Sequence, residues 1–260
     1  MFGEKAILIE NLTIGYKAHG VVYPVVSSIN TELCRGELVS LVGRNGAGKS
    51  TFLRTVCGYQ RELEGRVRYM GDGAERPTPQ ELSRRVAVVF AGSVKVQNLT
   101  VRELVALGRS PHTGFLGQLR PSDHKAVEWA MEVMGVASLA GRDVLSLSDG
   151  ELQKCMIAKA LAQETPVIIL DEPTAFLDFQ SKVALFGILK RLSTDMQKAI
   201  LVSTHDIELA LRMSDKLWVL DNKKMHCGTV DELSAKGVIR DFVGSGIVKY
   251  NEQKKILEIE

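Results

Sequence analysis

Hydrophobic and polar residues alternate along the first part of the chain, and short continuous apolar runs recur after it. The alternation covers 6–10 and 25–29, which predicts antiparallel strands joined by a turn at 17–20. A further strand is predicted over 63–71, with a Gly-Asp-Gly turn at 71–73. Continuous apolar runs are typical of parallel strands that are buried on both faces. Strands of this kind are predicted at 38–42, 86–90, 167–170, 199–203 and 216–220.

Apolar residues at helical spacing lie between these strands. Val127, Ala130, Met131 and Met134 have this spacing. Helices are predicted at 48–57, 100–108, 121–134, 150–163 and 207–213. The alternation of strand and helix predicts an α/β fold with a mostly parallel sheet, which a helical block over 92–163 interrupts. A Gly/Pro/His-containing loop is predicted within that block at 108–117, and the last segment, 229–260, is predicted to hold one helix and a strand at 254–260.

Length and composition narrow the class of protein. The chain has 260 residues, and domains of about 150 residues are usual, so we expect one large or two small units. The net charge of +2 and the aromatic content of 6% give no general support for nucleic-acid binding. The first residues lack a signal-peptide pattern, and every apolar run is far shorter than the roughly 20 residues of a membrane span. Any membrane role is therefore expected to act through a partner chain.

The four cysteines do not form a metal-binding pattern. Cys34, Cys57, Cys155 and Cys227 include no CxxC pair, and their spacings are too wide for a zinc ribbon or knuckle. We therefore predict reduced, mostly buried thiols.

A glycine-rich segment follows the strand at 38–42. Its residues, Gly43-Arg44-Asn45-Gly46-Ala47-Gly48-Lys49-Ser50, fit the pattern GxxxxGK[ST] between a strand and a helix. Glycines let successive backbone N–H groups turn toward one anion, and the helix N-terminus adds its positive end. Lys49 is predicted to bind the β- and γ-phosphates of a nucleotide, and Ser50 to bind Mg²⁺.

Two carboxylates follow the predicted strand at 167–170. Asp171 and Glu172 come directly after 167–170, at the strand end where ligands bind in parallel sheets. Alternation along a strand puts the two side chains on opposite sides, so we predict different roles. Asp171 is expected to hold Mg²⁺, and Glu172 to polarise the water that attacks the γ-phosphate.

A capped helix start is the third candidate site. Ser148 and Glu151 match the S-x-x-E capping box before the helix at 150–163. The free N–H groups and hydroxyl of such a cap also suit a γ-phosphate.

These motifs together resemble the ATP-binding cassette (ABC) ATPases. The phosphate loop, the pentapeptide 147–151, the pair Asp171-Glu172, and the segments 175–178 and 203–206 occur in the order seen in that family. The resemblance covers about 6–229. It implies a single ABC ATPase domain over 1–260, with a P-loop NTPase core of mostly parallel sheet. It also implies an N-terminal antiparallel β subdomain and an inserted α-helical subdomain. The expected subdomains are a nucleotide-binding core over 1–91 and 164–230, a helical subdomain over 92–163 and a tail over 231–260.

The resemblance also implies the role of each residue. ATP and Mg²⁺ are the implied cofactors. Tyr16 matches the aromatic residue that stacks on adenine. The plainer alternative is that Tyr16 is a core tyrosine at the end of a strand. Asp178 matches an aspartate at the dimer interface, and His205 a histidine that contacts the γ-phosphate. The ATP-binding loop is implied to run over Gly43, Arg44, Asn45, Gly46, Ala47, Gly48, Lys49, Ser50 and Thr51. The signature group, which would bind the ATP held by a second copy, is Ser148, Asp149, Gly150 and Glu151.

The segments 107–112 and 114–117 look like those of importers of iron chelates, heme and cobalamin. The implied partners are a second copy of the chain, bound head to tail with ATP, a transmembrane permease and an external substrate-binding protein, with no nucleic acid. The implied location is cytoplasmic, on the inner face of the membrane. Two alternatives remain open. One is a soluble ABC ATPase of the iron–sulfur cluster assembly type, and the other is a nucleotide sensor that binds ATP without cleaving it.

Two positions depart from the family pattern. Ala91 stands where the family has a glutamine that helps to ligate Mg²⁺, and Gln97 lies six residues further on. Gln97 either substitutes for it or is a solvated loop residue, and we favour coupling through a rigid contact of the loop 91–100. Asp149 replaces the first glycine of the signature. A carboxylate facing a phosphate is repelled, so its side chain is expected to point away, and Asp149→Gly to change helix stability more than ATP turnover.

Overall fold

The computed structural model describes residues 4–69, 77–92, 97–114, 117–244 and 247–259. The predicted turn at 71–73, the end of the strand predicted at 63–71, and residues 115–116 of the segment 114–117 lie outside these ranges. The strands are β1 (Lys5–Ala18), β2 (Val21–Cys34), β3 (Leu38–Gly43), β4 (Glu64–Tyr69), β5 (Val86–Val89), β6 (Val167–Asp171), β7 (Ala199–Thr204), β8 (Lys216–Asp221), β9 (Lys224–Gly228), β10 (Val248–Asn251) and β11 (Ile256–Ile259). The helices are α1 (Lys49–Val56), α2 (Pro79–Ser83), α3 (Val101–Ala106), α4 (Pro121–Val133), α5 (Asp149–Ala162), α6 (Phe179–Met196), α7 (Ile207–Met213), α8 (Val230–Ala235) and α9 (Val238–Val243).

The central sheet confirms the predicted α/β class. Its strands lie in the order β5-β6-β7-β3-β8-β9 within the described ranges. All neighbouring pairs are parallel except β8 and β9. Strand β9 was not predicted, because its sequence is short and half polar. The carboxyl ends of β3, β6 and β7 meet at one edge, so the segments that follow these strands are brought together.

The N-terminal strands form the predicted antiparallel sheet, in the order β2-β1-β4. Apolar residues on one face, such as Leu12 and Ile14, are fully buried. They join a core cluster that includes Phe52 of α1 and Trp218 of β8, whose rings meet edge to face at 5.8 Å. This sheet therefore covers the helix that follows the glycine-rich loop and keeps it against the central sheet.

Helices α3, α4 and α5 pack together over a second core cluster. Val105, Ala130 and Cys155 belong to that cluster, with residues of β6 and β7. Arg109 follows α3 and is almost fully buried, where it donates to Asp123 of α4 at 2.9 Å and to the carbonyl of Ala162 at the end of α5 at 2.7 Å. A buried ion pair thus ties these helices to one another.

The tail differs from its prediction. Two short helices, α8 and α9, replace the single expected helix, because Gly237 between them has a left-handed φ of 72° and ends the first. The strand expected at 254–260 is β11, and its partner β10 was not predicted. This hairpin packs through Tyr250 and Leu257 onto a small third cluster.

All four cysteines are free thiols, three of them buried. Burial raises the pKa of Cys155 and Cys227 to about 11, so both stay protonated at neutral pH. Among the helices in the described ranges, none has the length and apolar character needed to cross a bilayer.

Candidate nucleotide-binding site

The glycines of the loop after β3 are required by close contacts and by backbone conformation. A Cβ on Gly43 would lie 2.9 Å from the carbonyl oxygen of Leu220, and one on Gly48 would lie 2.5 Å from Cγ1 of Val25. Gly46 and Gly48 have φ values of 76° and 107°, which other residues rarely adopt. Without side chains at these positions, the backbone N–H groups of the loop stay accessible to a bound phosphate.

Lys49 begins α1 and is only 6% exposed. Its Nζ donates to the carbonyl of Gly43 at 2.9 Å and lies 3.4 Å from Nε2 of His205 and 3.9 Å from Oε1 of Glu172. Burial lowers the pKa of Lys49, while the carboxylates of Glu172 and Asp171 act in the opposite direction. The ammonium is thus held where the ends of β3, β6 and β7 converge.

The two carboxylates after β6 have different surroundings. Asp171 is buried, with 3% exposure, and its Oδ1 accepts a hydrogen bond from Oγ of Ser203 at 2.6 Å. Glu172 is partly exposed and has a φ of 50°. Its backbone N–H donates to Oγ of Ser203 at 2.9 Å. Because a left-handed conformation is unfavourable for a non-glycine residue, the contacts with Ser203 help to fix the turn that aims both carboxylates.

The histidine after β7 contacts the second carboxylate directly. Nε2 of His205 lies 2.6 Å from Oε1 of Glu172, and the imidazole is 45% exposed. Glu172 is therefore held between His205 and Lys49. This arrangement suits a carboxylate that must be oriented toward a water molecule rather than buried as a structural anion.

Tyr16 and Thr51 close one side of the site. Their hydroxyl oxygens are 2.5 Å apart, and the Tyr16 side chain is half exposed, unlike the core tyrosine that was the plainer alternative. A cavity of about 270 Å³ lies here, lined by Tyr16, Val25, Asn45, Gly46, Gly48, Lys49, Ser50, Thr51 and Glu172.

Ser148 and its neighbours lie at a separate cavity. Ser148 caps α5, since its hydroxyl accepts the N–H of Glu151, whose carboxylate in turn accepts the N–H of Ser148 at 2.8 Å. The Glu151 carboxylate accepts hydrogen bonds from the backbone N–H and the hydroxyl of Ser148. Both bonds, the one from the N–H foremost, lower the pKa of Glu151. Gly150 packs on the loop before α6, where a Cβ would lie 3.3 Å from Leu177. Asp178 accepts the N–H of Ser181 at 2.7 Å, which lowers the pKa of Asp178.

This second cavity measures about 420 Å³ and is lined by Ser148, Asp149, Gly150, Glu151, Lys154, Phe176, Leu177, Asp178 and Ser181. It shares no lining residue with the cavity at Lys49. One chain thus brings together Tyr16, the glycine-rich loop, Asp171, Glu172 and His205, but it does not bring the signature residues to them.

The departure at position 91 lies beside a stretch that is not described. Ala91 and Gly92 follow β5 and are exposed, and Gln97 is exposed at a turn. The two alternatives for Gln97, a substitute for the missing glutamine and a solvated loop residue, both stay predictions.

The residues at this site fit a hydrated divalent cation better than a protein-enclosed metal. In the part of the chain that the structure describes, no group of three or more His, Cys, Asp or Glu side chains could hold a metal ion. Asp171 can offer the oxygen that does not bind Ser203, and Ser50 is exposed at the start of α1. Mg²⁺ commonly binds with one or two protein oxygens, substrate phosphates and waters, which matches this donor set.

The part played by Ser203 was missed in the sequence. Ser203 lies within the segment 203–206 that marks the family, but only the tertiary contacts link its hydroxyl to both carboxylates.

Comparison with known proteins agrees with this geometry. A family described as ABC transporter matches residues 26–175. An uncharacterized ABC transporter ATP-binding protein of Methanocaldococcus jannaschii is 42% identical over 94% of this chain and 83% of its own length. An iron(3+)-hydroxamate import ATP-binding protein of Bacillus subtilis is 35% identical over 79% of this chain and 75% of its own. A cobalamin import ATP-binding protein of Halobacterium salinarum is 38% identical over 78% of this chain, which spans half of that protein.

Two solved structures of one ABC transporter cassette share the fold. Each is 26% identical to this chain, covers 86% of it and 98% of the cassette, and has a TM-score of 0.75. One is described as a dimeric structure, and the other as a dimeric post-hydrolysis state bound to ADP and Pi.

Proposed function

Because the chain belongs to the ABC transporter family and is an ATPase of that family, we propose that it is the ATP-hydrolysing subunit of an importer of iron chelates or cobalamin. The observation that carries the proposal is the convergence of Lys49, Glu172 and His205 within 3.9 Å of one another beside the glycine-rich loop. The names of the relatives support the substrate class. They do not name heme, which the sequence resemblance also included.

We assign the chemistry to five side chains. Backbone N–H groups of the loop and the Lys49 ammonium bind the phosphates, and Tyr16 stacks on the base. Ser50 and Asp171 hold Mg²⁺, which when bound neutralises charge on the phosphates. Glu172 polarises the attacking water, and phosphoryl transfer then depends mainly on positioning and on electrostatic stabilisation.

His205 orients Glu172 through the 2.6 Å contact. The Lys49 ammonium donates to the Gly43 carbonyl, and binding of the phosphates has to redistribute its contacts. His205 keeps the Glu172 carboxylate in place during that change.

The composite site requires a second copy of the chain. The cavity at Ser148 and Gly150 is exposed and separate from the one at Lys49, so its free N–H groups can serve a nucleotide held elsewhere. In a head-to-tail dimer, Ser148 and Gly150 contact the γ-phosphate bound by the partner, and Asp178 lies at the interface. The dimeric state of the solved cassette supports this arrangement.

We place the permease at an apolar cavity between α2, β5 and α5. It measures about 610 Å³, with a mostly apolar lining from Leu82, Val86, Leu107, Met156 and neighbouring residues. Two of its lining residues, Tyr59 and Leu107, are exposed. Large exposed apolar grooves are typical of protein docking sites. The named relatives are import ATP-binding proteins, which supports a transport partner. Docking of a permease at this groove gives this chain a peripheral position on the inner face of the membrane.

The test is Glu172→Gln in the reconstituted complex of chain and copurified permease. Phosphate release is expected to fall by at least about a hundredfold, as for loss of a general base, while binding of a fluorescent ATP analogue is retained. Glu208→Gln is the matched control, because Glu208 is an exposed carboxylate on α7 that pairs with Arg212. Phosphate release by the Glu172 variant at the parental rate would remove Glu172 from its role. An ATPase that no siderophore or cobalamin-loaded binding protein stimulates would refute the substrate class.

A further inference from the structure

Two exposed charged residues at the two half-sites have no ionic partner among the residues that the structure describes. Arg44 is exposed in the glycine-rich loop, and Asp149 is exposed in the first turn of α5. Within the described ranges, neither side chain makes a hydrogen bond or an ion pair, although the Arg44 carbonyl accepts the N–H of Ala47. The unmatched charges are opposite in sign, and each belongs to a different half of the proposed composite site.

Arg44 lies outside the cavity of its half-site. The cavity that holds Lys49 is lined by Asn45, Gly46 and Gly48 but not by Arg44. The exposed guanidinium is therefore available to a surface that closes over the loop.

The other charges around Asp149 are already neutralised. Glu151 pairs with Arg142 at 3.1 Å, and Asp178 accepts the N–H of Ser181 and lies in the field of Lys154. Asp149 is thus the one carboxylate of the described cavity lining without a hydrogen-bonding or ionic partner.

Closing the two half-sites creates an electrostatic conflict at Asp149. The proposed dimer brings Ser148 and Gly150 to a γ-phosphate, so the carboxylate between them approaches several negative oxygens. In a site from which water is excluded, such repulsion opposes closure strongly. A cation from the facing surface removes this cost, and a guanidinium suits a carboxylate particularly well.

We propose that Arg44 of one copy pairs with Asp149 of the other when two chains close around ATP. The inference rests on the proposed function, since it needs the head-to-tail dimer. By two-fold symmetry the pair forms twice. The pair directs the Asp149 side chain away from the phosphate, as expected from the sequence.

A charge-swap cycle tests the pair in the Glu172→Gln background, where nucleotide stays bound. The variants are Arg44→Glu, Asp149→Arg and the double swap, and dimerisation with saturating Mg-ATP is measured by sedimentation. Arg44→Glu is expected to weaken dimerisation about tenfold, because two carboxylates then face each other. Asp149→Arg is expected to weaken it less, because its cation faces Arg44 but no longer repels the phosphates. The double swap is expected to return to within about threefold of the parent. The coupling is expected to shrink when salt rises from about 0.05 to 0.5 M.

Lys125→Glu is the control for net charge, because Lys125 is exposed on α4, away from both cavities. Nucleotide affinity of every variant is measured with a fluorescent ATP analogue, so that dimerisation is compared at equal saturation. If the parent dimerises and the double swap is no better than the sum of the single reversals, the pair is wrong while the proposed function stands. If the parent stays monomeric, the shared site and the pair both fail.

Discussion

The hydroxyl of Ser203 is the contact whose removal tests the acidic pair most directly. Ser203 is fully buried, and its Oγ donates to Asp171 and accepts the N–H of Glu172. Ser203→Ala removes both bonds. A hydrogen bond to a charged group contributes about 1.5–3 kcal/mol. The Glu172 N–H keeps a second acceptor, the Ser203 carbonyl at 3.2 Å. Loss of the bond from this N–H to the Ser203 hydroxyl therefore adds little to the change in stability. We expect the free energy of unfolding to fall by about 2 kcal/mol.

In a chain of this size, that loss lowers the Tm by roughly 4–8 °C. Phosphate release is expected to fall about 10–100-fold, the usual effect of losing a group that orients a metal ligand. Ser40→Ala is the matched control. Ser40 is equally buried on β3, and its hydroxyl bonds only the neutral hydroxyl of Ser214, at 2.7 Å. This control is expected to cost about 1 kcal/mol and to leave phosphate release unchanged.

Thermal unfolding and phosphate release of the two variants together test whether Ser203 organises the two carboxylates. If Ser203→Ala is no less stable than Ser40→Ala and hydrolyses ATP at the parental rate, Ser203 does not organise the carboxylates. If both variants lose activity equally, the effect belongs to the sheet as a whole and the assignment is also wrong.

Two further predictions concern the loop and the helical part. Gly48→Ala is expected to weaken binding of a fluorescent ATP analogue more than Gly46→Ala. Both glycines have a left-handed backbone, but a Cβ on Gly48 would also lie 2.5 Å from Cγ1 of Val25, whereas one on Gly46 would meet no described atom within 4 Å. Equal effects of the two substitutions would show that the backbone conformation alone matters. Arg109→Met is expected to cost about 3–5 kcal/mol in urea unfolding, since it leaves Asp123 buried and unpaired. The Arg120 N–H and Arg109 lower the pKa of Asp123. The stability that this carboxylate contributes is therefore present above its ordinary pKa of about 3.9 and is lost as the pH falls through the folded-state value. A variant with the parental pH dependence between about pH 5 and 2 would contradict this account.

Regular segments with strong local patterns were predictable. Strand β6 and helix α7 lie within one residue of their predicted bounds, because apolar periodicity and capping residues are local properties of the sequence. Strands β9 and β10 were missed, since short half-polar strands are stabilised by their neighbours rather than by their own pattern, whereas β11 lies within the strand predicted at 254–260. The tail was predicted with one helix instead of two. The glycine at position 237 does not by itself show that its backbone is left-handed and separates α8 from α9.

The sequence alone determined which chemical groups this protein has and in what order. A glycine-rich loop before Lys49, carboxylates after an apolar strand and a capped helix start at Ser148 are readable because each depends on a few adjacent residues. Only the tertiary structure decided which of them meet. It brought Glu172 between Lys49 and His205, gave Ser203 its two contacts, and kept Ser148 in a separate cavity. Distances between residues far apart in the chain follow from strand order and packing, which no local pattern contains.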